Sequence, residues 1–413
     1  MNEKFLEALG AALRKETVSW TKVSRTEWQE LFQIASKQQV LPLIYEAVCK
    51  CPAAKKEPEL LKACSNRVMG EVARQVMKTS DFLSLYPRIC SEGGCLPLVM
   101  KGLICRNLYL TPNTRPSLDE DILISEACFP KVHQVLIQEG MRLMKPEENP
   151  DKTYEVSYVK KGTFLYLEVH KHLFAEDSET IGDFNGFFEG VFTRAIQETI
   201  QGVPIWTMGY TDHLFYLICH AVKHFLHSGV GVRQVCDIVL FANAHGAEVD
   251  WNLIYENCQK IHAEKLVAAI FKIGKIYFEF DAEKACYPSK WQAIETDEKA
   301  LLYDMLEGGI TGNAEKNRLH SSSITLNAVN AQKNGKRVRP TIFKSIFPAL
   351  KYMKGKYPYL EKKPYLLPVA WLDRIIKYGK WAYRSPKNHP ARSIEIANRR
   401  IALMKQYGII EKN

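Results

Sequence analysis

The amino-acid sequence predicts an α+β fold in which a small mixed β-sheet lies between two groups of helices. Three observations support this fold class. Apolar residues recur at helical spacing through about the first ninety residues, strand-like apolar runs replace them between residues 95 and 175, and helical spacing returns from Asp212 onward. With 413 residues, of which 46% are hydrophobic, the chain has enough apolar side chains for two or three domains with their own cores. This composition excludes disordered, collagen-like and fibrous proteins.

The first predicted unit is an N-terminal helical region, residues 1–94. Ser24 and Glu27 have the spacing of a capping box and precede apolar residues at helical spacing, so a helix is expected to begin there. A longer helical pattern starts near Pro58 and ends before Gly93, because glycine favours helix termination.

The second predicted unit, residues 95–210, contains the sheet. Two apolar runs, residues 96–100 and 121–124, are typical of buried strands. Residues 154–160 and 164–172 alternate like the two strands of a hairpin. Between these two pairs we expect a helix and a short third strand, which together with the others make a small mixed sheet.

Two predicted units follow the sheet: a helical domain, residues 211–326, and a basic, aromatic-rich C-terminal region, residues 327–413. From Lys333 to the end of the chain, 20 Lys and Arg residues stand against four acidic residues, a local net charge of +16 in a chain whose total is +10. This asymmetry indicates an anionic partner, which could be a nucleic acid, a lipid headgroup or a phosphorylated substrate.

The C-terminal region also has two structural interpretations. Residues 327–340 are rich in Asn, Lys and Gly, and we interpret them as a linker or mobile loop. Aromatic side chains interleave the basic ones and could stack on bases. However, Trp371, Ile375, Ile376 and Tyr378 lie near the helical spacing of packed residues, so packing is the expectation.

The most informative residues are two acids, Asp119 and Asp121, at the point where a polar turn enters an apolar strand. Strand alternation places both carboxylates on one face, and two like charges this close favour a bound cation such as Mg²⁺ or Mn²⁺. Glu168 supplies a third acid in a later predicted strand. If the two strands are neighbours, the three carboxylates can hold metal ions that orient a nucleoside triphosphate (NTP) and activate an acceptor hydroxyl. The expected reaction is nucleotidyl transfer.

Three short stretches around these acids form a set of motifs. Residues 99–102 read Val-Met-Lys-Gly, residues 115–124 read Arg-Pro-Ser-Leu-Asp-Glu-Asp-Ile-Leu-Ile, and residues 167–170 read Leu-Glu-Val-His. This arrangement resembles the polymerase-β-like nucleotidyltransferase superfamily, and most closely its largely uncharacterised bacterial family with an L-K-G turn, an R-P-x-x-D-x-D-[IL]-L-[IV] signature and an E-x-H strand. Residues 356–375 are similar to the aromatic, Pro-rich tail of that family, so the resemblance covers most of the chain from about residue 95.

The resemblance implies a polymerase-β-like nucleotidyltransferase core flanked by N-terminal helices and a C-terminal helical domain. The implied activity is Mg²⁺-dependent transfer of a nucleoside monophosphate from an NTP to a hydroxyl of a small molecule, peptide, protein or RNA. The implied site residues fall into three groups. The catalytic and metal-binding acids would be Asp119, Asp121 and Glu168. The nucleotide-binding residues would be Lys101, Gly102, Arg115 and Ser117. The acceptor side, which includes the family's paired histidines and its R-x-x-x-D pattern, would have His170, His220, His224, Arg233 and Asp237.

Two departures from the superfamily pattern modify these expectations. The usual turn has an apolar residue, then Gly, then Gly or Ser, whereas Lys101, Gly102 and Leu103 provide one glycine and a bulky third residue. Phosphate binding is then expected to depend on Lys101 and on the N-terminus of the helix that follows. Glu120 stands between the two acids where an aliphatic residue is usual. We expect its side chain to point to the opposite face. An acid there is tolerated at a sheet edge, so Glu120 argues against burial of this strand.

Three charged residues also have simpler interpretations. Arg115 could bind phosphate oxygens, or it could equally pair with Asp119 or Glu120. Because Arg233 and Asp237 are four residues apart on a predicted helix, they most simply pair with each other. In that case their charges would serve the fold rather than a substrate.

Two other functions remain open. The chain could have lost turnover and use its basic C-terminal region to bind RNA or another anionic partner, although the retained acids argue against this. A zinc hydrolase could use His220 and His224, which share a helix face with His227 and follow His213, but the HExxH glutamate is missing. His170 could in turn be a structural histidine.

The sequence also bears on the compartment. Eleven cysteines without a CxxC pair indicate reduced thiols. The N-terminus lacks the features of a signal peptide, and no apolar stretch approaches the roughly 20 residues of a membrane helix. We therefore expect a cytoplasmic protein without a membrane span.

Overall fold

The computed structural model describes residues 1–175, 183–308, 347–353, 356–384 and 390–410, together with residues 318, 321–322, 324–326 and 329. Most of the described chain is helical, and one mixed seven-stranded β-sheet lies within it. The predicted α+β fold class is therefore confirmed. The predicted linker, residues 327–340, lies outside the described residues except for Val329.

Four helices precede the sheet: α1 Asn2–Leu13, α2 Arg25–Lys37, α3 Leu41–Val48 and α4 Pro58–Glu92. The predicted capping box at the start of α2 is present, since Ser24 Oγ accepts a hydrogen bond from the Glu27 N–H while Glu27 Oε2 accepts one from the Ser24 N–H. The long helix α4 ends at Gly93, as the glycine predicts.

The sheet has the strand order β3-β4-β5-β2-β1-β7-β6. Its strands are β1 Leu98–Met100, β2 Glu120–Leu123, β3 Met141–Leu143, β4 Glu155–Lys160, β5 Tyr166–His170, β6 Ile196–Ile200 and β7 Val203–Thr207. Two helices lie between the early strands, α5 Gly102–Arg106 and α6 Phe129–Gln138. Five of the strands were predicted, whereas the hairpin of β6 and β7 was not. This hairpin turns at Gln201 and Gly202, both of which have positive φ.

The burial of Glu120 contradicts the expectation drawn from the sequence. The strand β2 lies at the centre of the sheet rather than at its edge, and Glu120 is fully buried. The structure compensates for its charge, because Glu120 Oε1 lies 2.8 Å from Arg106 Nη2 and 3.4 Å from Lys78 Nζ. Burial opposes ionisation, but these two cations outweigh it and hold the pKa of Glu120 below its ordinary value. A buried carboxylate is thus tolerated because it is paired.

Helices form the rest of the described chain. After the sheet come α7 Tyr210–His227, α8 Val232–His245, α9 Trp251–Lys260, α10 Glu264–Tyr277, α11 Ser289–Gln292 and α12 Glu298–Gly308. The C-terminal segments are Leu350–Met353, Tyr359–Lys362, Leu367–Arg384 and Pro390–Gln406. Short 3₁₀ segments lie in the loops, at Ala54–Lys56, Pro112–Thr114, Glu126–Cys128, Pro150–Lys152, Asn185–Phe188, Gly246–Glu248 and Pro364–Leu366. One continuous buried core joins the N-terminal helices, the sheet, the later helices and the last helix.

The helix Leu367–Arg384 follows the packing expectation only in part. Trp371 packs against Phe347, with ring centroids 5.3 Å apart, and its indole N–H donates to Pro348 O. Ile375 and Ile376, however, are 41% and 48% exposed, so their predicted packing is wrong. The side chain of Tyr378 lies outside the described residues. Across the described chain, we find no helix whose length and apolar character would allow it to cross a bilayer.

Candidate functional site

A cavity of about 220 Å³ lies where the sheet meets the helices α7 and α8. The edge of the sheet at this place is formed by the end of β1 and the beginning of β2, which pair antiparallel with Met100 opposite Asp121. Ten of the twelve residues selected from the sequence line the cavity. The other two, Glu168 and His170, lie on the strand next to Asp121. The sequence-based selection therefore falls in one place.

Three acids meet at this edge of the sheet. The strands β2 and β5 are parallel neighbours with Asp121 in register with Glu168, as the sequence argument required. Asp121, Glu168 and His170 each offer one ligand atom, and these atoms lie within 4.8 Å of one another. Asp119 immediately precedes β2 and also lines the cavity. His170, which was assigned to the acceptor side, lies with the acids instead.

The protonation of these groups reflects mutual repulsion and pairing. Burial and the neighbouring Asp121 raise the pKa of Asp119 to about 6. Burial acts in the same way on Asp121, but Lys101 Nζ, 2.9 Å from its Oδ1, and His170 Nε2, 3.1 Å away, hold its pKa below the ordinary value. Burial lowers the pKa of His170, and its hydrogen bonds to Asp121 and Glu168 outweigh this and raise it to about 9.

The donor set fits a divalent cation. Hard ions such as Mg²⁺ prefer carboxylate oxygens. Asp119 and Asp121 offer two carboxylates at the cavity, and Glu168 offers a third beside Asp121 on β5. Asp119 pairs with no cation of the chain in the described structure, which agrees with its raised pKa. An added positive charge would stabilise the ionised form of this acid.

Lys101 occupies a strained turn that two later elements support. Its φ is +43°, an unusual value for a residue with a side chain, and its N–H donates to His213 Nε2 at 3.3 Å. Thr207 Oγ1 donates to Val99 O and is therefore positioned to accept from His213 Nδ1 at 3.2 Å. Burial lowers the pKa of His213 to about 3, which keeps the ring neutral and its Nε2 able to accept. The turn is thus fixed by β7 and α7.

Gly102 is required by close packing. A Cβ at this position would lie 2.8 Å from Glu120 Oε2 and 3.3 Å from Asp119 O. The buried glutamate therefore passes directly beneath the turn that follows β1. This contact gives the single glycine of the turn a steric reason that the sequence alone does not reveal.

Ser117 is bound by the protein itself. Its hydroxyl accepts hydrogen bonds from Lys78 Nζ at 2.7 Å and from Arg106 Nη1 at 2.9 Å, and its N–H donates to Gln75 Oε1 at 2.8 Å. That Ser117 contacts the nucleotide stays a prediction. The sequence analysis did not identify its partners within the protein. Lys78 and Gln75 belong to α4, more than 35 residues away in sequence, and no motif identified them.

Arg115 pairs with Asp237 rather than with Asp119 or Glu120. Its Nε donates to Asp237 Oδ1 at 3.0 Å, its Nη2 donates to Oδ2, and Tyr109 Oη donates to Oδ1 at 2.8 Å. The expected pairing of Arg233 with Asp237 is therefore also wrong, because the carboxylate is already used. Asp237 is more than 100 residues away in sequence from both of its partners, Arg115 and Tyr109. Helical spacing cannot predict contacts of this kind.

The two arginines leave positive charge at the cavity. Arg115 is 4% exposed, and its Nη1 has no hydrogen-bond partner among the described residues. Arg233 donates to Pro116 O through Nη1, while its buried Nε has no partner in the described structure. Burial and the charge of Arg115 lower the pKa of Arg233 to about 10, so it is still a cation at neutral pH. One carboxylate thus faces two guanidinium groups.

The histidine pair on α7 forms a neutral hydrogen-bonded unit. His220 Nε2 and His224 Nε2 are 3.1 Å apart, and Gln234 Nε2 lies 3.3 Å from His220 Nδ1. Burial lowers the pKa of both rings, that of His224 to about 3. Within the described part of the chain, no third His, Cys, Asp or Glu joins this pair at metal-ligand distance. His213 lies at the Lys101 turn and does not join the pair, so among the described residues the zinc hypothesis has two histidines and no third ligand.

A comparison with known protein families decides the identity of this fold. A family model described as an uncharacterised nucleotidyltransferase matches residues 24–279, which is more than half of the chain. The chain belongs to this nucleotidyltransferase family. The match confirms the family type that the motifs indicated, and it includes α2 to α4 as well as all twelve selected residues. Neither a curated protein nor a solved structure matches the chain.

Proposed function

We propose that this nucleotidyltransferase transfers a nucleoside monophosphate from an NTP to a hydroxyl of an acceptor, with Mg²⁺ or Mn²⁺ as cofactor. One observation supports this most strongly. Asp119 and Asp121 line a cavity whose walls also contain the cations Lys101 and Arg233, and Glu168 lies beside Asp121 on the neighbouring strand. Acids beside cations in one cavity suit a metal–triphosphate substrate, whose ions need carboxylates and whose phosphates need positive charge.

The residues would divide the work as follows. Asp119, Asp121 and Glu168 would hold the metal ions, whose charge would offset that of the triphosphate and lower the pKa of the acceptor hydroxyl. Lys101, Arg233 and the unpaired Nη1 of Arg115 would bind phosphate oxygens and stabilise the charge that develops on the leaving pyrophosphate. Glu168 would accept the proton of the acceptor hydroxyl as its oxygen bonds to the α-phosphorus. The bond from that phosphorus to the bridging oxygen breaks in the same step.

The helical wall of this cavity would contact uncharged parts of the substrates. His220 and His224 are neutral, so they can exchange hydrogen bonds with uncharged hydroxyl groups without attracting a second phosphate.

All eleven cysteines are free, which agrees with a reducing compartment such as the cytoplasm. The basic C-terminal region would bind an anionic partner outside this cavity.

The test is equilibrium binding of each of the four labelled NTPs with Mg²⁺, together with pyrophosphate release and self-labelling. The double variant Asp119→Ala/Asp121→Ala should lose binding of the preferred NTP. The control Glu147→Ala/Glu148→Ala removes two exposed acids of the same region and should keep it. A folded protein that binds none of the four NTPs at saturating Mg²⁺ would refute the proposal.

A further inference from the structure

A second cavity, of about 360 Å³, adjoins the first. The two share three lining residues, Gln39, Ser117 and Leu118, so the loop that leads into Asp119 separates them. The other walls are formed by the N-terminal helices α2 to α4 and by Phe164, in the loop before β5. Its volume is in the range of small-molecule binding sites, and no residue proposed above to bind the NTP or the metal, apart from Ser117, lines it.

The lining of this second cavity is basic. Arg67, Arg74 and Lys78 stand against one acid, Glu71, which leaves a lining charge of about +2. Glu71 is paired with Arg67 at 3.0 Å, and Lys78 Nζ is bonded to the Ser117 loop. Arg74 is exposed, and within the described structure no acid pairs with it. It is therefore the cation best placed to meet an anionic ligand.

The same cavity has apolar side chains at its mouth. Leu118 is 67% exposed and Phe164 is 48% exposed, and both line the cavity. Burying these two side chains against a ligand would remove their apolar area from water. An occupant that joins an anionic group to an apolar or aromatic group matches both features.

We propose that this second cavity binds the acceptor, a small hydroxyl compound with a phosphate or carboxylate group beside an apolar or aromatic group. The proposal rests on the proposed function, because a ligand of the second cavity can be an acceptor only if the first cavity, the donor cavity, binds the NTP. An acceptor held here can extend its hydroxyl past Leu118 to Asp119, while the triphosphate occupies the first cavity. Its oxygen bonds to the α-phosphorus, its proton passes to Glu168, and pyrophosphate leaves.

The experiment uses four probes, phenyl phosphate, benzoate, phenol and inorganic phosphate, whose binding to the full chain is measured with Mg²⁺ by calorimetry or ligand-observed NMR. Tripolyphosphate is present at saturation to fill the first cavity. An aromatic anion should bind and phenol should bind much more weakly, with the phosphate and carboxylate arms identifying the preferred group. Arg74→Ala should weaken binding of the aromatic anion by about tenfold. Phe164→Ala should weaken the binding of phenyl phosphate more than it weakens the binding of inorganic phosphate.

The control is Arg142→Ala, which removes an exposed arginine of β3 outside either cavity. Displacement of the aromatic anion by tripolyphosphate, or equal binding by the Arg74 and Arg142 variants, would overturn the second cavity as a separate anion site. Weaker NTP binding in the Arg74 variant would overturn its assignment to the acceptor. An aromatic anion that binds through Arg74 in a protein that binds no NTP would keep the anion site and refute the donor function alone.

Discussion

Glu120 lies between two candidate metal ligands yet acts on the opposite side of the strand. Its carboxylate pairs with Arg106 and Lys78, and the same Lys78 ammonium donates to Ser117 O at 2.7 Å and lies 3.4 Å from Asp119 O. Burial lowers the pKa of Lys78 to about 8, although Glu120 opposes this. One buried lysine of α4 therefore holds Ser117 and Asp119 of the loop that separates the two cavities.

Lys78→Met should destabilise the fold and weaken NTP binding. The side chain is 3% exposed, and its removal leaves Glu120 with one cation and two loop carbonyls without their donor. The free energy of unfolding should fall by about 3 kcal/mol, measured by urea denaturation. Lys62→Met, an exposed lysine of the same helix, is the control and should leave stability unchanged. Equal stability of the two variants would show that Lys78 does not hold the loop.

At the scale of elements, the sequence predicted those features that depend on residues close together in the chain. The capping box at Ser24, the five strands and the alternation of Asp119 and Asp121 all follow from neighbours in sequence. The parallel pairing of β2 with β5 could be tested only in the structure, although the three acids had suggested it. The hairpin of β6 and β7 was missed even though residues 196–207 alternate around a Gln-Gly turn, a signal that was available.

The ion pairs of the site could not be predicted, and the reason is physical. Arg115 and Asp237 are 122 residues apart, and Arg106 reaches Glu120 only because α5 packs over β2. A charge chooses its partner by distance in three dimensions, whereas helical spacing favours the nearest residue, here Arg233. Gln75, Lys78 and Tyr109 were missed for the same reason.

The helix α7 concentrates neutral histidines in its buried face. His213, His220 and His224 all have pKa values lowered by burial, whereas an unfolded chain binds a proton at each below about pH 6.5. Between that pH and about 3 the unfolded state therefore holds more protons than the folded state. The stabilisation from these neutral rings is complete above pH 6.5 and is lost as the pH falls.

The pH dependence of stability should thus be shallower in a His220→Gln/His224→Gln variant. Between pH 6 and pH 5 the wild-type chain should lose about 2 kcal/mol more stability than this variant, because two fewer groups take up protons on unfolding. Urea denaturation at each pH gives the comparison. The control His262→Gln removes an exposed imidazole. Parallel pH profiles for wild type and double variant would contradict the assignment of neutral rings.

At the scale of the whole molecule, both chain ends pack on the helices that follow the sheet. Near the N-terminus, Arg14 pairs with Glu279, just after α10. Near the C-terminus, Arg400 is 1% exposed and donates to the carbonyls of Phe225 and His227 in the last turn of α7. The ends of helices leave such carbonyls without internal partners, so a residue near the end of the sequence completes α7.

Arg400→Met should therefore destabilise the molecule far more than Arg399→Met, a substitution of the neighbouring residue in the same helix. The first variant leaves two buried carbonyls at the end of α7 without a donor, a loss of about 3 kcal/mol in the free energy of unfolding. The second removes an exposed pair with Glu307, in which both side chains are 51% exposed, and should cost less than about 1 kcal/mol. Urea denaturation measures both. If α7 depends on this contact, the Arg400 variant should also weaken NTP binding, since His224 lies in the last turn of α7 and lines the donor cavity. Equal losses in the two variants would mean that the C-terminal helix packs on the molecule without completing α7.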